Sequence, residues 1–184
     1  MSLLLQNFIL FQAGWFSCVI AGANQGYAWI GVAVVIVIVA VHLARANNSG
    51  KELMLIVTTM LLGTVLDSVL ILAGLLSFDN GIIISGLAPY WLIAMWALFA
   101  TTLNVSMKWL KHKYLIAAVF GALGGPIAYY AGHRLGAVGF IDTNSSMLAV
   151  GVGWALMMPL LMALTGYFNG YTALRTHSYE VKPS

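Results

Sequence analysis

The chain alternates long apolar runs with short polar breaks. Six runs approach or exceed the roughly 20 residues that span a bilayer as a helix. They are Leu3–Ala23, Tyr27–Ala44, Leu53–Ser77, Pro89–Leu110, Tyr114–Gly136 and Met147–Gly170. The runs are continuous. A transmembrane barrel instead repeats alternating segments of about ten residues. The second run is rich in Val and Ile, which favour strands in water. In hydrocarbon, where every backbone group must be satisfied within the segment, the same run forms a helix. The pattern therefore predicts an all-α polytopic membrane protein, a six-transmembrane-helix bundle in a single integral membrane domain.

Composition supports this reading. The chain of 184 residues is 61% hydrophobic and 7% charged, where soluble domains carry about 25% charged residues. Too few polar groups exist to coat a water-facing surface. The net charge of +3 does not point to nucleic acid, because the basic residues sit in short loops as topology signals. No Lys or Arg precedes Arg45, so Leu3–Ala23 reads as a retained helix rather than a signal peptide. Arg45 and Lys51 fall between spans two and three, Lys108, Lys111 and Lys113 between four and five, and Arg175 and Lys182 in the tail. With six spans these places share one side. The positive-inside rule then puts both termini in the cytoplasm. Tyr27, Trp29, Tyr90 and Trp91 are expected at the outer interface, with Trp109, Tyr114, Tyr167 and Tyr171 at the inner one. His42, His112 and His177 are expected to be solvated near the inner surface, and Glu52 in the polar loop Arg45–Glu52.

Small residues at helical spacing mark packing faces. The third span carries Thr59, Gly63, Thr64, Asp67 and Ser68. The first carries Asn7, Gly14, Cys18 and Gly22, and the fifth carries two ladders, Ala117–Gly121–Gly125 and Ala128–Gly132–Gly136. Gly124–Gly125–Pro126 is expected to interrupt and kink the fifth helix, and Pro159 the sixth. Kinked helices near the midplane can open a ligand cavity or can simply be bent packing helices.

Asp67 is the one carboxylate read as lying inside a span. A helical Asp there costs roughly 2.5–3.5 kcal/mol on insertion scales, so it needs a partner or a solvent. At 1.5 Å per residue it lies roughly 21 Å up its helix, level with Tyr129 and Tyr130 and somewhat below His133 and Arg134. Gln12 and Trp15 of the first span can complete a polar cluster. A ligand pocket around Asp67, Tyr129, Tyr130, His133, Arg134, Gln12 and Trp15 is therefore a candidate site. A purely structural Asp67 that fixes helix packing is the alternative. Asn104, with Thr101, Thr102 and Ser106, forms a second polar spot in the inner half.

Metal chemistry has no ligand set here, and Cys18 is a lone small packing residue. Zinc-protease, nucleophile-elbow, phosphate-loop and dinucleotide motifs do not occur in the sequence, and no cofactor is expected. With one intramembrane carboxylate, an aspartyl dyad is excluded.

Four strings carry a resemblance. They are PYWLIAMWALFATTLNVSMKWL (Pro89–Leu110), GALGGPIAYYAGHRLGAVGF (Gly121–Phe140), NFILFQAGWFSCVIAG near the N-terminus, and LGTVLDSVLILAGLL around Asp67. Together the chain resembles a bacterial inner-membrane family known as domain of unknown function 2878. The resemblance implies a multi-pass protein of the inner membrane and no established activity. Genes of the family often lie near lipid-modifying enzymes such as cyclopropane-type fatty-acyl synthases, which implies membrane lipid, or a lipid-modifying enzyme, as partner. Three functions follow as expectations: binding or transport of a small or lipid-like molecule around Asp67, an integral-membrane enzyme using Asp67 with Tyr129, Tyr130 or His133, or a scaffold for lipid-modifying enzymes.

Overall fold

The computed structural model describes residues 2–171, which hold six α-helices. They are α1 (Leu3–Ala23), α2 (Ala28–Arg45), α3 (Ser49–Leu72), α4 (Tyr90–Leu103), α5 (Tyr114–Arg134) and α6 (Thr143–Tyr167), with a short 3-10 turn at Lys108–Leu110. Arg175, His177 and Lys182 lie outside the described residues. Five helices, all but α4, are long and apolar enough to cross a membrane. Their outward faces are Leu, Ile, Val and Phe, as in Leu61, Val65, Leu72, Leu115 and Leu148.

The fourth element corrects the expectation of a long span. α4 has 14 residues, about 21 Å of helix, against a hydrocarbon core of about 30 Å. It ends at Leu103 because the chain folds back on itself there. The N–H groups of Val105 and Met107 both donate to the Thr102 carbonyl, at 3.1 and 2.8 Å. Of its 14 residues, 11 are buried. α4 is the bundle's central post, packed by α1, α2 and α3, so Trp91 is a core residue rather than an interface anchor. Its ring covers Gly22, and its indole N–H donates to the Asn80 carbonyl at 3.0 Å.

α3 begins earlier than its apolar run. The Asn48 side chain accepts from the Lys51 N–H at 3.0 Å, a helix N-cap, so Lys51 and Glu52 lie within the helix. At the other end, Gly74 adopts φ +68°. Its N–H donates to Ile71 and that of Leu75 to Leu70, a Schellman ending that needs a left-handed residue. Gly136 ends α5 in the same way, with φ +84°: its N–H donates to His133 and that of Ala137 to Gly132. The two segments that emerge then pair as a two-stranded antiparallel ladder, β1 (Leu76–Ser77) with β2 (Gly139–Phe140). Leu76 and Ser77 are thus strand rather than helix.

α5 runs unbroken through Pro126 and α6 through Pro159, so neither proline interrupts its helix. Among the described residues these two helices are the most extensively packed pair. A Cβ on Gly121 would collide with the Trp154 backbone carbonyl, and one on Gly125 with the Trp154 side chain. Part of the glycine ladder is therefore a contact surface for α6.

Candidate functional site

Asp67 is fully buried on the α3 face that turns to α4. The Tyr129 hydroxyl of α5 donates to its Oδ1, and the Trp96 indole N–H of α4 donates to its Oδ2 at 2.6 Å. One carboxylate thus ties three helices together. Trp96 lies flat over Gly63, one helical turn before Asp67, where any Cβ would strike its ring. Its other face stacks on Trp154 of α6, centroids 4.8 Å apart and planes at 19°. Phe99 meets both indoles edge-on. The Trp154 N–H is buried next to the Tyr129 hydroxyl, outside hydrogen-bonding geometry.

Beside this knot lies a cavity of about 350 Å³. α1 forms one wall with Phe11, Gln12, Trp15, Phe16 and Val19. α4 forms the floor with Trp91, Met95, Trp96 and Phe99. The opposite wall is α5, with Phe120, Gly121, Gly124, Gly125, Ala128 and Tyr129. The small residues of α5 leave the room that larger side chains would fill. A Cβ on Gly124 would meet nothing nearer than Phe120 at 4.0 Å. α1 and α5 are not among the closely packed helix pairs. Phe16, Phe120 and Ile127 line the cavity while remaining 48%, 40% and 68% exposed, so they form its outer rim.

The structure brings Asp67 and Tyr129 together and puts Gln12, Trp15 and Tyr129 on the cavity wall. It does not bring the others there. Tyr130 is 45% exposed. His133 stacks on Phe140 at 4.7 Å, and its Nδ1 lies 2.9 Å from the Val138 carbonyl. Arg134 is exposed on the surface. Asp67 itself does not line the cavity; the rings of Trp96 and Tyr129 stand between. Trp96 was legible only indirectly, because a lone Gly63 on a packing stripe requires a large partner opposite.

A second buried polar cluster closes the far end of the bundle. Glu52 is fully buried and His42 nearly so, which overturns their assignment to solvated positions. His42 Nε2 lies 2.9 Å from Glu52 Oε2. Glu52 Oε1 accepts from Asn104 Nδ2 at 2.6 Å and from the Gly170 N–H at 2.8 Å. The Tyr171 hydroxyl donates to the His42 carbonyl at 2.7 Å. Burial, followed by the charge of Glu52, pushes the Tyr171 hydroxyl up to about 12. The expected polar spot at Asn104 divides in two. Asn104 belongs with Glu52, whereas Thr101 and Ser106 meet through Asn7, which donates to the Thr101 carbonyl at 3.0 Å and accepts from the Ser106 hydroxyl at 2.6 Å. Glu52 could have been found from Asn48. Once Asn48 caps the helix, Glu52 falls on the stripe Leu55, Ile56, Thr59, Gly63, Asp67. The two carboxylates stand fifteen residues apart on one helix, about 22 Å, so they form no dyad. Among the described residues no group of His, Cys, Asp and Glu could hold a metal ion.

No curated protein and no solved structure matches the chain. Residues 4–160 do match a protein-family model, and the chain therefore belongs to the family described as protein of unknown function, DUF2878.

Proposed function

We propose that this protein is a multi-pass protein of the bacterial inner membrane that binds a small, membrane-dissolved apolar molecule in the cavity between α1 and α5. The observation that carries the reading is that cavity. At about 350 Å³ it falls in the range of roughly 300–1,000 Å³ used for small-molecule sites. Its wall is almost wholly aromatic and aliphatic, and its rim is made of exposed apolar side chains, so its mouth opens toward hydrocarbon rather than water. A ligand would enter from the membrane, as lipid-like molecules do.

The chain crosses six times in this account, with α4 as a short crossing enclosed by longer neighbours. Arg45, Lys51, Lys108, Lys111 and Lys113 then gather with the Glu52 cluster at the cytoplasmic end. Asp67 acts by holding Trp96 and Tyr129 in the cavity wall. Its shielding from the cavity weighs against the enzyme reading, in which Asp67 would reach substrate as acid or base.

Quenching of tryptophan fluorescence by bromododecane tests the proposal in purified protein. Four of the six tryptophans, Trp15, Trp91, Trp96 and Trp154, line the cavity. The wild type should show a saturable quenching component, and Gly124→Leu, which fills the open space at Gly124, should remove it. A quenching curve identical in both proteins would refute the cavity as a binding site.

A further inference from the structure

Gln12 is the one primary amide among the residues that line the cavity. It sits nine residues into a 21-residue helix, about 14 Å along a rod of about 31 Å. That is mid-membrane depth in the six-crossing arrangement. Among the described residues it has no hydrogen-bond partner. An amide has two donors and two acceptor positions, and in hydrocarbon no water satisfies them. Other amides within the bundle are paired: Asn7 with Thr101 and Ser106, Asn104 with Glu52 and Phe168. Gln12 is therefore an amide left open on the wall of a predominantly apolar chamber. Its neighbours Phe11, Trp15 and Phe16 supply no acceptor or donor that closes it.

We infer that the cavity takes a neutral apolar molecule bearing an oxygen function, a ketone or hydroxyl, within its hydrophobic body, and that the Gln12 amide hydrogen-bonds to that oxygen. This rests on the cavity reading above and narrows the ligand class. A phospholipid acyl chain places no polar atom at mid-membrane depth and would leave Gln12 unmet. A charged headgroup would find no counter-charge on this wall, because Asp67 lies behind Trp96 and Tyr129. A molecule with an uncharged oxygen satisfies both the apolar walls and the amide. Gln12 is in this account a specificity-determining residue.

The test compares bromododecane with a bromododecanone whose carbonyl lies near the chain's end remote from bromine, on wild type, Gln12→Leu and Gly124→Leu. Both probes should bind the wild type, the ketone about three- to tenfold more tightly, the range a single hydrogen bond supplies. In Gln12→Leu the preference of the ketone over the alkane should vanish. Equal affinity of the two probes in the wild type, or a ketone preference that survives Gln12→Leu, would overturn the inference while leaving the cavity intact. Failure of both probes to show saturable quenching that Gly124→Leu removes would overturn the cavity and the inference together.

Discussion

Asp67 and Glu52 are both fully buried carboxylates on one stripe of α3, and their surroundings differ. Asp67 has two donors, Trp96 and Tyr129, and no cation. Asparagine is close in shape but can accept at one of its two terminal atoms only, so one donor would face an NH2 group. Asp67→Asn should therefore destabilise the folded protein by about 1–3 kcal/mol, the cost of leaving a buried donor unsatisfied. It should also raise the mobility of Trp96. Thermal unfolding in detergent and tryptophan anisotropy measure the two effects. Glu52 is held by His42, Asn104 and the Gly170 N–H. Glu52→Ala would strand the Gly170 N–H, at about 1–3 kcal/mol, and remove a partner of His42 and of Asn104, and should release the segment after α6, which limited proteolysis reads. Tyr171 adds a pH dependence. Its folded-state hydroxyl is raised from 10.0 to about 12, so its contribution is fully present below about pH 10 and is lost as pH rises toward 12. Tyr171→Phe should flatten that alkaline loss in a melting-temperature profile, and an unchanged profile would count against the cluster as described.

At the scale of elements, the helices read well from apolar run length, and the ends read less well. α1, α2 and α5 lie within a few residues of their apolar runs, because in those segments the run and the helix have one cause. α3 starts four residues before its apolar run because Asn48 caps it, and stops five residues before the run's end because Gly74 turns the chain into β1. α4 stops after Leu103 because Thr102, Asn104 and Ser106 commit their polar groups to a turn and to other helices, which hydropathy does not register. In the site, the pairing of Asp67 with Tyr129 was legible from depth along two helices. Trp96 was legible only through Gly63, and the position of the cavity beside rather than around Asp67 was not, since both depend on which helix faces which. Glycines test the packing directly. Gly63→Ala should displace Trp96, and Gly121→Ala should force α5 from the Trp154 backbone, each destabilising by about 1–3 kcal/mol as overpacking does. A methyl group added at Gly166 would have nothing within 4 Å, so Gly166→Ala should be neutral or mildly stabilising. A Gly63→Ala protein that melts with the wild type would contradict the account of Trp96.

For the whole molecule, the parts form a consistent arrangement. α4 is a central post, α1 and α2 pack along it, α3 anchors it through Asp67, and the α5–α6 pair joins through Tyr129 and Trp154. Polar clusters at different depths fix that assembly, and the space left between α1 and α5 is the cavity. The central claim is that this space holds an apolar molecule drawn from the membrane. Native mass spectrometry of protein purified in mild detergent tests it most directly. The wild type should carry a single non-protein molecule that survives detergent removal, and Gly124→Leu should have lost it. A wild type that carries none, or a Gly124→Leu protein that retains the same molecule in the same proportion, would contradict the account.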